Sequence, residues 1–555
     1  MNLSTIESLA PLRLETMSQP FWRLLLLALL SLGLTILSYP HLPLAWLAWI
    51  ALVPLGWALR SADRLQGFLL AALFGWGFWF GAIWWVQTPM REILSLSPLA
   101  ALALTLLGCG FLALPYAIAG WLVSRNRGDG NALLRAVKFA AVFTVVTNWF
   151  PQLFDVNFAH TQFEQLHVLQ VLDFGGTPLL LFTIFLVNGL VVEMMAAIKT
   201  GFRAAAKPGV ALIVTFVLLF SYGEFRLVDL REQMKTAPAK SWFTVGAIQP
   251  NIPVLVPPER QPVPLADGAN DFFSALQQAI PLVRKHPEID LLALPENPDL
   301  FVFNTDEKRR TALADTIIQI KKPVMLNAAL FDARKPVAGN PGRYNVNVFV
   351  DSTAFVTNSY RKIKLVPLIE SLPGEDYFPV LRRLFPRSLG VISGPKPVVF
   401  DVKPGVRVIP LICYEGTSSS FTRQFIELGG NCVVNLINDS WFLRTPGAKR
   451  HMILAPFRAV EFRVPFVRVS NSGVGGYVQP TGEIIPGSET ALFEKTASAF
   501  PVFIPVERSF YAKHGDWFLV LLTFVLLGAL VRDAAKFVLG ARARRRRKRR
   551  TFYYS

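Results

Sequence analysis

Long apolar runs constrain what this chain can fold into more than any other feature. A bilayer-spanning helix needs about 20 consecutive, mainly apolar residues. Runs of that kind crowd the first 225 positions and return once, near residue 520. With 52% of its 555 residues hydrophobic and 17% charged, the chain is too apolar for a soluble protein of this size and reads as a membrane protein. Eight spans are expected: Leu24 to Tyr39, Leu42 to Leu59, Leu65 to Val86, Pro98 to Val123, Leu133 to Phe150, Pro178 to Ile198, Gly209 to Tyr222 and Trp517 to Val531. The first run leads straight into the second without a cleavage site, so a retained amino terminus is expected. The polar sequence between the seventh and eighth runs is long enough for one large folded domain.

Charge orients the spans. The net charge is +18, and Ala541 to Arg550 alone holds eight Lys or Arg and no acid, leaving +10 for the rest. A basic tail just beyond a span fits contact with anionic cytoplasmic lipid better than a nucleic-acid arm, and no nucleic-acid partner is expected. The second, fourth and sixth loops carry nine basic residues: Arg60, Arg64, Arg125, Arg127, Arg135, Lys138, Lys199, Arg203 and Lys207. The first, third and fifth carry Arg91 alone. The positive-inside rule then places both termini in the cytoplasm and the polar domain across the membrane, which in a bacterium is the periplasmic face of the inner membrane. Around the fifth loop, Phe150, Phe154, Phe158, Phe163, Leu166, Val168 and Leu169 interleave with Asp155, Glu164 and Asp173. That pattern suits a lipid-facing interfacial segment or a packed connector.

Three cysteines, Cys109, Cys413 and Cys432, cannot build a disulfide framework. The six histidines have no metal spacing, and no metal or organic cofactor is expected. From about Ser241, short β-rich runs alternate with amphipathic stretches. Strands are expected at Phe243 to Ile248, Leu291 to Leu294, Pro323 to Leu330, Val346 to Val356, Val408 to Ile412 and Cys432 to Ile437. Helices are expected at Asp271 to Lys285, Asp306 to Lys322, Phe421 to Leu428 and Met452 to Phe462. Such alternation means sheet covered by helices, an α/β or layered α+β domain.

Three strand ends carry the chemistry. Val408 to Ile412 stops abruptly at Cys413, Tyr414 and Glu415; Glu296 follows Leu294 and Pro295; Lys362 follows a further β-rich run. Taken singly, the cysteine reads as a buried structural thiol and the two charges as solvated or paired surface groups. Together they supply a base, a cation and a thiol, the set a thiol acyl transfer requires. No GxSxG elbow, Rossmann fingerprint or phosphate loop competes with them.

In order and spacing these residues resemble the nitrilase (carbon-nitrogen hydrolase) superfamily. Its strand end "PE" stands here as Pro295-Glu296, its "Y-x-K-x-x-L-V-P" as Tyr360, Lys362, Leu365, Val366 and Pro367, and its "I-C-Y-E" as Ile412-Cys413-Tyr414-Glu415. Asn438-Asp439-Ser440-Trp441-Phe442, Arg458-Ala459-Val460-Glu461, Ser470-Asn471-Ser472-Gly473, and Gln249 with Asn251 match further elements. With spans on both sides of the domain, the whole chain resembles the bacterial apolipoprotein N-acyltransferases within that superfamily.

The resemblance implies an eight-helix transmembrane bundle plus a nitrilase-like α-β-β-α sandwich. Residues 1–225 would form seven helices, 226–512 a periplasmic catalytic domain, and 513–555 the eighth helix and basic cytoplasmic tail. It implies Glu296 as general base, Lys362 as stabiliser of the tetrahedral intermediate and Cys413 as the thioester nucleophile. Tyr414, Glu415 and Trp441 would handle substrate, Trp441 on a mobile loop near lipid. Lys364 stands two positions past the matching lysine. The family's second glutamate follows "L-V-P-F-G-E"; here Leu368-Ile369-Glu370 lacks the glycine, so Glu370 is favoured and Glu375 is the alternative. The implied partners are a phospholipid acyl donor, a diacylglyceryl-apolipoprotein acceptor and membrane lipid, and the implied state is a monomer. A membrane-tethered amidase or nitrilase acting on a small amide is the alternative, since it would use the same triad. A transporter or binding scaffold would place charges within the spans, where Glu193 is the main candidate.

Overall fold

A computed structural model describes residues 20–39, 44–124, 131–152, 155–252, 270–296, 301–337, 340–532 and 535. The basic stretch from Ala541 to Arg550, and also Leu42, Arg125, Arg127 and Phe154, lie outside the described residues. Among those described, six helices are long and apolar enough to cross a bilayer: Phe21–Ser38, Arg64–Glu92, Pro98–Val123, Ala132–Trp149, Leu172–Ile198 and Phe202–Thr236. The second and eighth expected spans are instead the shorter apolar segments Ala45–Ser61 and Trp517–Arg532.

The second run falls short because it is not one helix. Ala45–Trp49 is a 3-10 turn, and α-helix begins only at Val53, with Pro54 in its first turn. Neighbouring spans satisfy the irregular backbone. Leu52 N–H donates to Asn188 Oδ1 (2.8 Å), Asn188 Nδ2 to the Ala48 carbonyl (3.0 Å), and Leu55 N–H to Ser31 Oγ (2.7 Å). Away from water, non-helical backbone persists only where protein supplies such partners.

Close helix crossing sets the bundle's shape. A Cβ added to Gly120 would lie 2.4 Å from the Gly67 carbonyl oxygen, so the Arg64–Ile83 and Pro98–Val123 helices approach to backbone contact there. Leu172–Ile198 begins earlier than expected and breaks at Gly176 (φ 66°). A side chain there would also run into the Tyr511 ring. The fifth loop is a packed connector: Phe158 to Gln162 forms a buried 3-10 turn, and Val168 and Leu169 are buried. Phe202–Thr236 has 35 residues, roughly 52 Å of helix against a hydrocarbon core of about 30 Å. Its last turns leave the bundle, where Arg231 pairs with Glu483 (3.6 Å).

The polar sequence forms two sheets. The first has the order β11-β1-β2-β3-β4-β5, with β1 Trp242–Gln249, β2 Leu291–Ala293, β3 Val324–Val337, β4 Asn340–Val350, β5 Val356–Arg361 and β11 Thr496–Phe503. The second has the order β10-β9-β8-β7-β6, with β6 Phe400–Lys403, β7 Val406–Ile409, β8 Cys432–Ile437, β9 Phe466–Ser470 and β10 Gly476–Val478. The expected Val346-to-Val356 strand is the end of one hairpin arm and the start of another, separated where Asp351 Oδ1 accepts from Thr353 and Phe355 N–H.

Strand periodicity builds the layers. Leu291 and Ala293 face the second sheet with Met325, Val408 and Val433, while Leu292 and Val324 face away. That outer face packs against the helices Asn270–Lys285 and Glu307–Ile320 through Ala279, Leu313 and Ile317. Helices Ser419–Glu427 and Leu454–Phe462 contribute Phe425, Ala459 and Phe462 beside the second sheet. The result is an α-β-β-α sandwich.

Buried charges join sandwich to bundle. Arg463 Nη2 and Arg226 Nε each lie 2.7 Å from Asp173 Oδ2. Glu461 accepts from the Thr177 hydroxyl (2.6 Å) and backbone N–H (3.1 Å). Glu193, at the other end of the Leu172–Ile198 helix, pairs with Arg60 and Arg135.

Candidate active site

Strands β2, β5 and β7 end on the same side of the sandwich. Beyond β7, Pro410, Leu411 and Ile412 lead into a 3-10 turn at Cys413–Thr417. Cys413 adopts φ 51°, a region that costs a non-glycine residue of order 1 kcal/mol or more and turns the chain sharply away from the strand. Three residues beyond β2, Glu296 is 9% exposed and receives a hydrogen bond from the Cys413 thiol. One residue beyond β5, Lys362 is buried with Nζ 2.7 Å from Glu370 Oε1 and 3.5 Å from Glu296 Oε1. Base, ammonium and sulfur therefore converge.

Burial dominates their electrostatics. It pushes the Cys413 thiol well above its usual range, with Glu296 adding and Lys362 opposing, so the sulfur rests protonated and needs a base. Burial also raises the Glu296 carboxyl, with Lys362 pulling it down, which suits a proton acceptor for a thiol. Burial alone would lower Lys362, but Glu370 and Glu296 outweigh it and hold the ammonium firmly charged.

The two candidate glutamates separate cleanly. Glu370 accepts from Lys362 Nζ and from Val366 N–H (2.8 Å). Glu375 pairs with Arg382 (2.6 Å), away from the sulfur. Where the expected glycine is missing, Leu368 takes φ 68°, one position earlier, and the turn still delivers Glu370. Lys364 pairs with Asp155 (3.1 Å) and lies over the Tyr414 ring.

Glu415 does not face the sulfur. Its Oε1 accepts from Tyr360 OH (2.7 Å), Ile363 N–H (2.7 Å) and Lys364 N–H (3.0 Å), and its Oε2 from Ile412 N–H (3.0 Å). One buried carboxylate thus clamps the residue after Lys362 to the residue before Cys413; burial pushes it up to about 7.

A cavity of about 860 Å³ reaches from Glu296, Lys362 and Cys413 past Tyr414 and the half-buried Trp441 to Val86, Ile93 and Leu107 of the membrane helices. Phe442, beside Trp441, packs edge-on against Trp85 with ring centroids 4.7 Å apart.

Sequence reasoning missed the asparagines behind the triad. Asn345 Nδ2 donates to Glu296 (2.7 Å), Asn327 Nδ2 to Asn345 Oδ1 (2.7 Å) and Asn347 Oδ1 (3.0 Å), and Asn347 Nδ2 to the Pro410 carbonyl (3.0 Å). Asn345-Val346-Asn347 puts two amides on one face of a strand, and a polar residue repeated at the buried period was the available signal. Asp439, His451 and Arg468 were missed as a cluster: Asp439 accepts from His451 Nδ1 (3.0 Å) and from Arg468.

The class is a carbon-nitrogen hydrolase fold carried on membrane helices: the sequence model of Carbon-nitrogen hydrolase matches residues 245–497, and that of the Apolipoprotein N-acyltransferase N-terminal domain matches residues 31–190. Proteins named apolipoprotein N-acyltransferase from Geobacter metallireducens and Brucella melitensis are 26% and 27% identical to this chain. The matches cover 89% and 92% of this chain, and 92% and 95% of the relatives. One from Bdellovibrio bacteriovorus is 32% identical over 47% of this chain and 49% of its own. A solved amidase from Nesterenkonia sp. is 16% identical, with a TM-score of 0.34 over 49% of this chain and 92% of that one. Over most of its length the chain is similar to the apolipoprotein N-acyltransferases.

Proposed function

We propose that this protein moves an acyl chain from a membrane phospholipid, through a thioester on Cys413, to the α-amine of a diacylglyceryl-cysteine at the start of a lipoprotein. Glu296 takes the Sγ proton as the thiolate attacks the ester carbonyl. The Lys362 ammonium stabilises the oxyanion. Collapse breaks the ester C–O bond, and Glu296 returns its proton to the leaving glycerol oxygen, releasing lysophospholipid. The acceptor amine then attacks the thioester carbon and gives a proton to Glu296, which passes it to the departing sulfur. Glu370 holds Lys362, Glu415 fixes both loops, and Tyr414 and Trp441 border the substrate path.

The observation that carries this reading is the cavity joining the triad to side chains of the membrane helices. Donor and acceptor are both held in the bilayer by acyl chains, so such an opening meets them at high local concentration, and its apolar wall keeps water from the thioester. A small soluble amide has no use for that opening.

The spans and sidedness belong to the same proposal. Eight crossings are counted by including Ala45–Ser61 and Trp517–Arg532, with 1–225 as bundle, 226–512 as catalytic domain and 513–555 as final span and tail. The Phe202–Thr236 helix runs through the first boundary as a shared strut. The basic Arg60 and Arg135 gather at Glu193, whereas Thr177, near the other end of that helix, meets the sandwich. That polarity supports a catalytic domain on the periplasmic face of an inner membrane and cytoplasmic termini.

The test is to incubate the protein with phospholipid alone and follow intact mass. One acyl group should accumulate on Cys413 and none on Cys413→Ala; adding acceptor lipopeptide should clear it. A labelled small amide consumed in its place would refute the proposal.

A further inference from the structure

One buried group beside the nucleophile is left without a task by the mechanism above. His451 is side-chain 9% exposed and borders the same cavity. Its Nδ1 lies 3.0 Å from Asp439 Oδ1, and Asp439 also accepts from the Arg468 guanidinium. Those partners hold Asp439 below the usual carboxylate range, burial notwithstanding. A carboxylate at Nδ1 fixes the tautomer: the ring proton sits on Nδ1 and a lone pair on Nε2. That Nε2 is buried and has no hydrogen-bond partner. The imidazole lies beside the backbone carbonyl of Cys413, whose oxygen accepts from Asn435 Nδ2 (3.1 Å).

An orphaned buried acceptor costs free energy, and an N–H donor is what such a place lacks. Burial, with Arg468 adding, keeps the imidazole below its ordinary value despite Asp439, so at neutral pH Nε2 remains an acceptor.

We infer that His451 Nε2 receives an N–H of the acceptor α-amine in the second half-reaction. This rests on the acyltransferase reading. A neutral primary amine has two N–H groups and one lone pair. With one N–H on His451 and the other given up to Glu296, the lone pair points at the thioester carbon on the adjacent sulfur. The C–N bond forms as the C–S bond breaks, and His451 neither gains nor loses a proton. An ester oxygen has no N–H to offer, so the first half-reaction makes no use of this contact.

The experiment separates the half-reactions. Full-length protein in detergent is acylated on Cys413 by phospholipid, freed of donor, and mixed with a diacylglyceryl-cysteine lipopeptide, with thioester and product followed by mass. His451→Ala should acylate within about threefold of the parent and transfer roughly 10- to 100-fold more slowly, the scale of one lost hydrogen bond to the reacting amine. His451→Asn, which keeps a donor for Asp439 but offers nothing at the Nε2 position, should behave the same way. Equal loss in both half-reactions would make His451 a structural support and overturn the inference, as would unimpaired transfer or loss confined to acylation. Absence of acylation in the parent would instead refute the acyltransferase reading itself.

Discussion

Glu370→Gln should move the acid limb of Cys413 acylation to lower pH. Glu370 and Glu296 share the Lys362 ammonium at 2.7 and 3.5 Å, which puts the two carboxylates roughly 6 Å apart at most. At an effective dielectric of about 20, like charges at that distance repel by about 2.8 kcal/mol, equivalent to about two pH units. That repulsion is one reason the Glu296 carboxyl is raised. Removing it, and freeing Lys362 to lean toward Glu296, lowers the pH at which Glu296 becomes a base. The limb should shift down by one to two units, and the plateau should fall because a weaker base removes the thiol proton more slowly. Single-turnover acylation by phospholipid, read by intact mass from pH 4 to 9, measures both. Glu370→Asp, which retains the charge, should leave the limb near its original position. A limb that stays put or rises in Glu370→Gln would show that Glu370 acts only by holding Lys362 in place.

Other substitutions test neighbouring parts of the site. Asn345→Leu removes the donor that favours the charged form of Glu296, so its acid limb should rise, opposite to Glu370→Gln; the same pH series decides. Glu415→Gln turns an NH₂ toward the Ile412 N–H and should cost about 1–3 kcal/mol, slowing acylation although Glu415 does not face the sulfur. Because the Glu415 carboxyl is raised by burial from 4.5 to about 7, the folded state holds its proton where the unfolded chain has lost it. The parent's stability relative to Glu415→Gln should therefore be greatest below about pH 4.5 and decline as pH rises through about 7, as measured by thermal melts across that range. Arg463→Met strips the buried Asp173 of one partner and should lower Tm, with a cost near 3 kcal/mol, while acylation per folded molecule stays unchanged.

The legible parts of this chain are those where one residue type repeats at a period physics imposes. Apolar length exposed the membrane helices, and alternation exposed β1, β2 and β8 almost to the residue. Where side chains from other spans complete an irregular backbone, as Asn188 and Ser31 do for Ala48 to Leu55, no local pattern marks the interruption, and the second run reads as an ordinary span. The same limit applies within the site. Glu296, Lys362 and Cys413 stand out because each is a chemically active residue just past a strand. Asn345 lies within a strand, and Asp439 and His451 lie twelve residues apart, so their roles exist only once β4 and β8 are brought to the same edge. Glu415 shows the difference most sharply. Its place in the Cys-Tyr-Glu run suggests contact with substrate, yet its four donors come from the end of β5 and from both loops that carry the chemistry. A carboxylate so occupied has little left for a ligand. Its contribution is to keep a cation and a nucleophile, 51 positions apart in sequence, in fixed register.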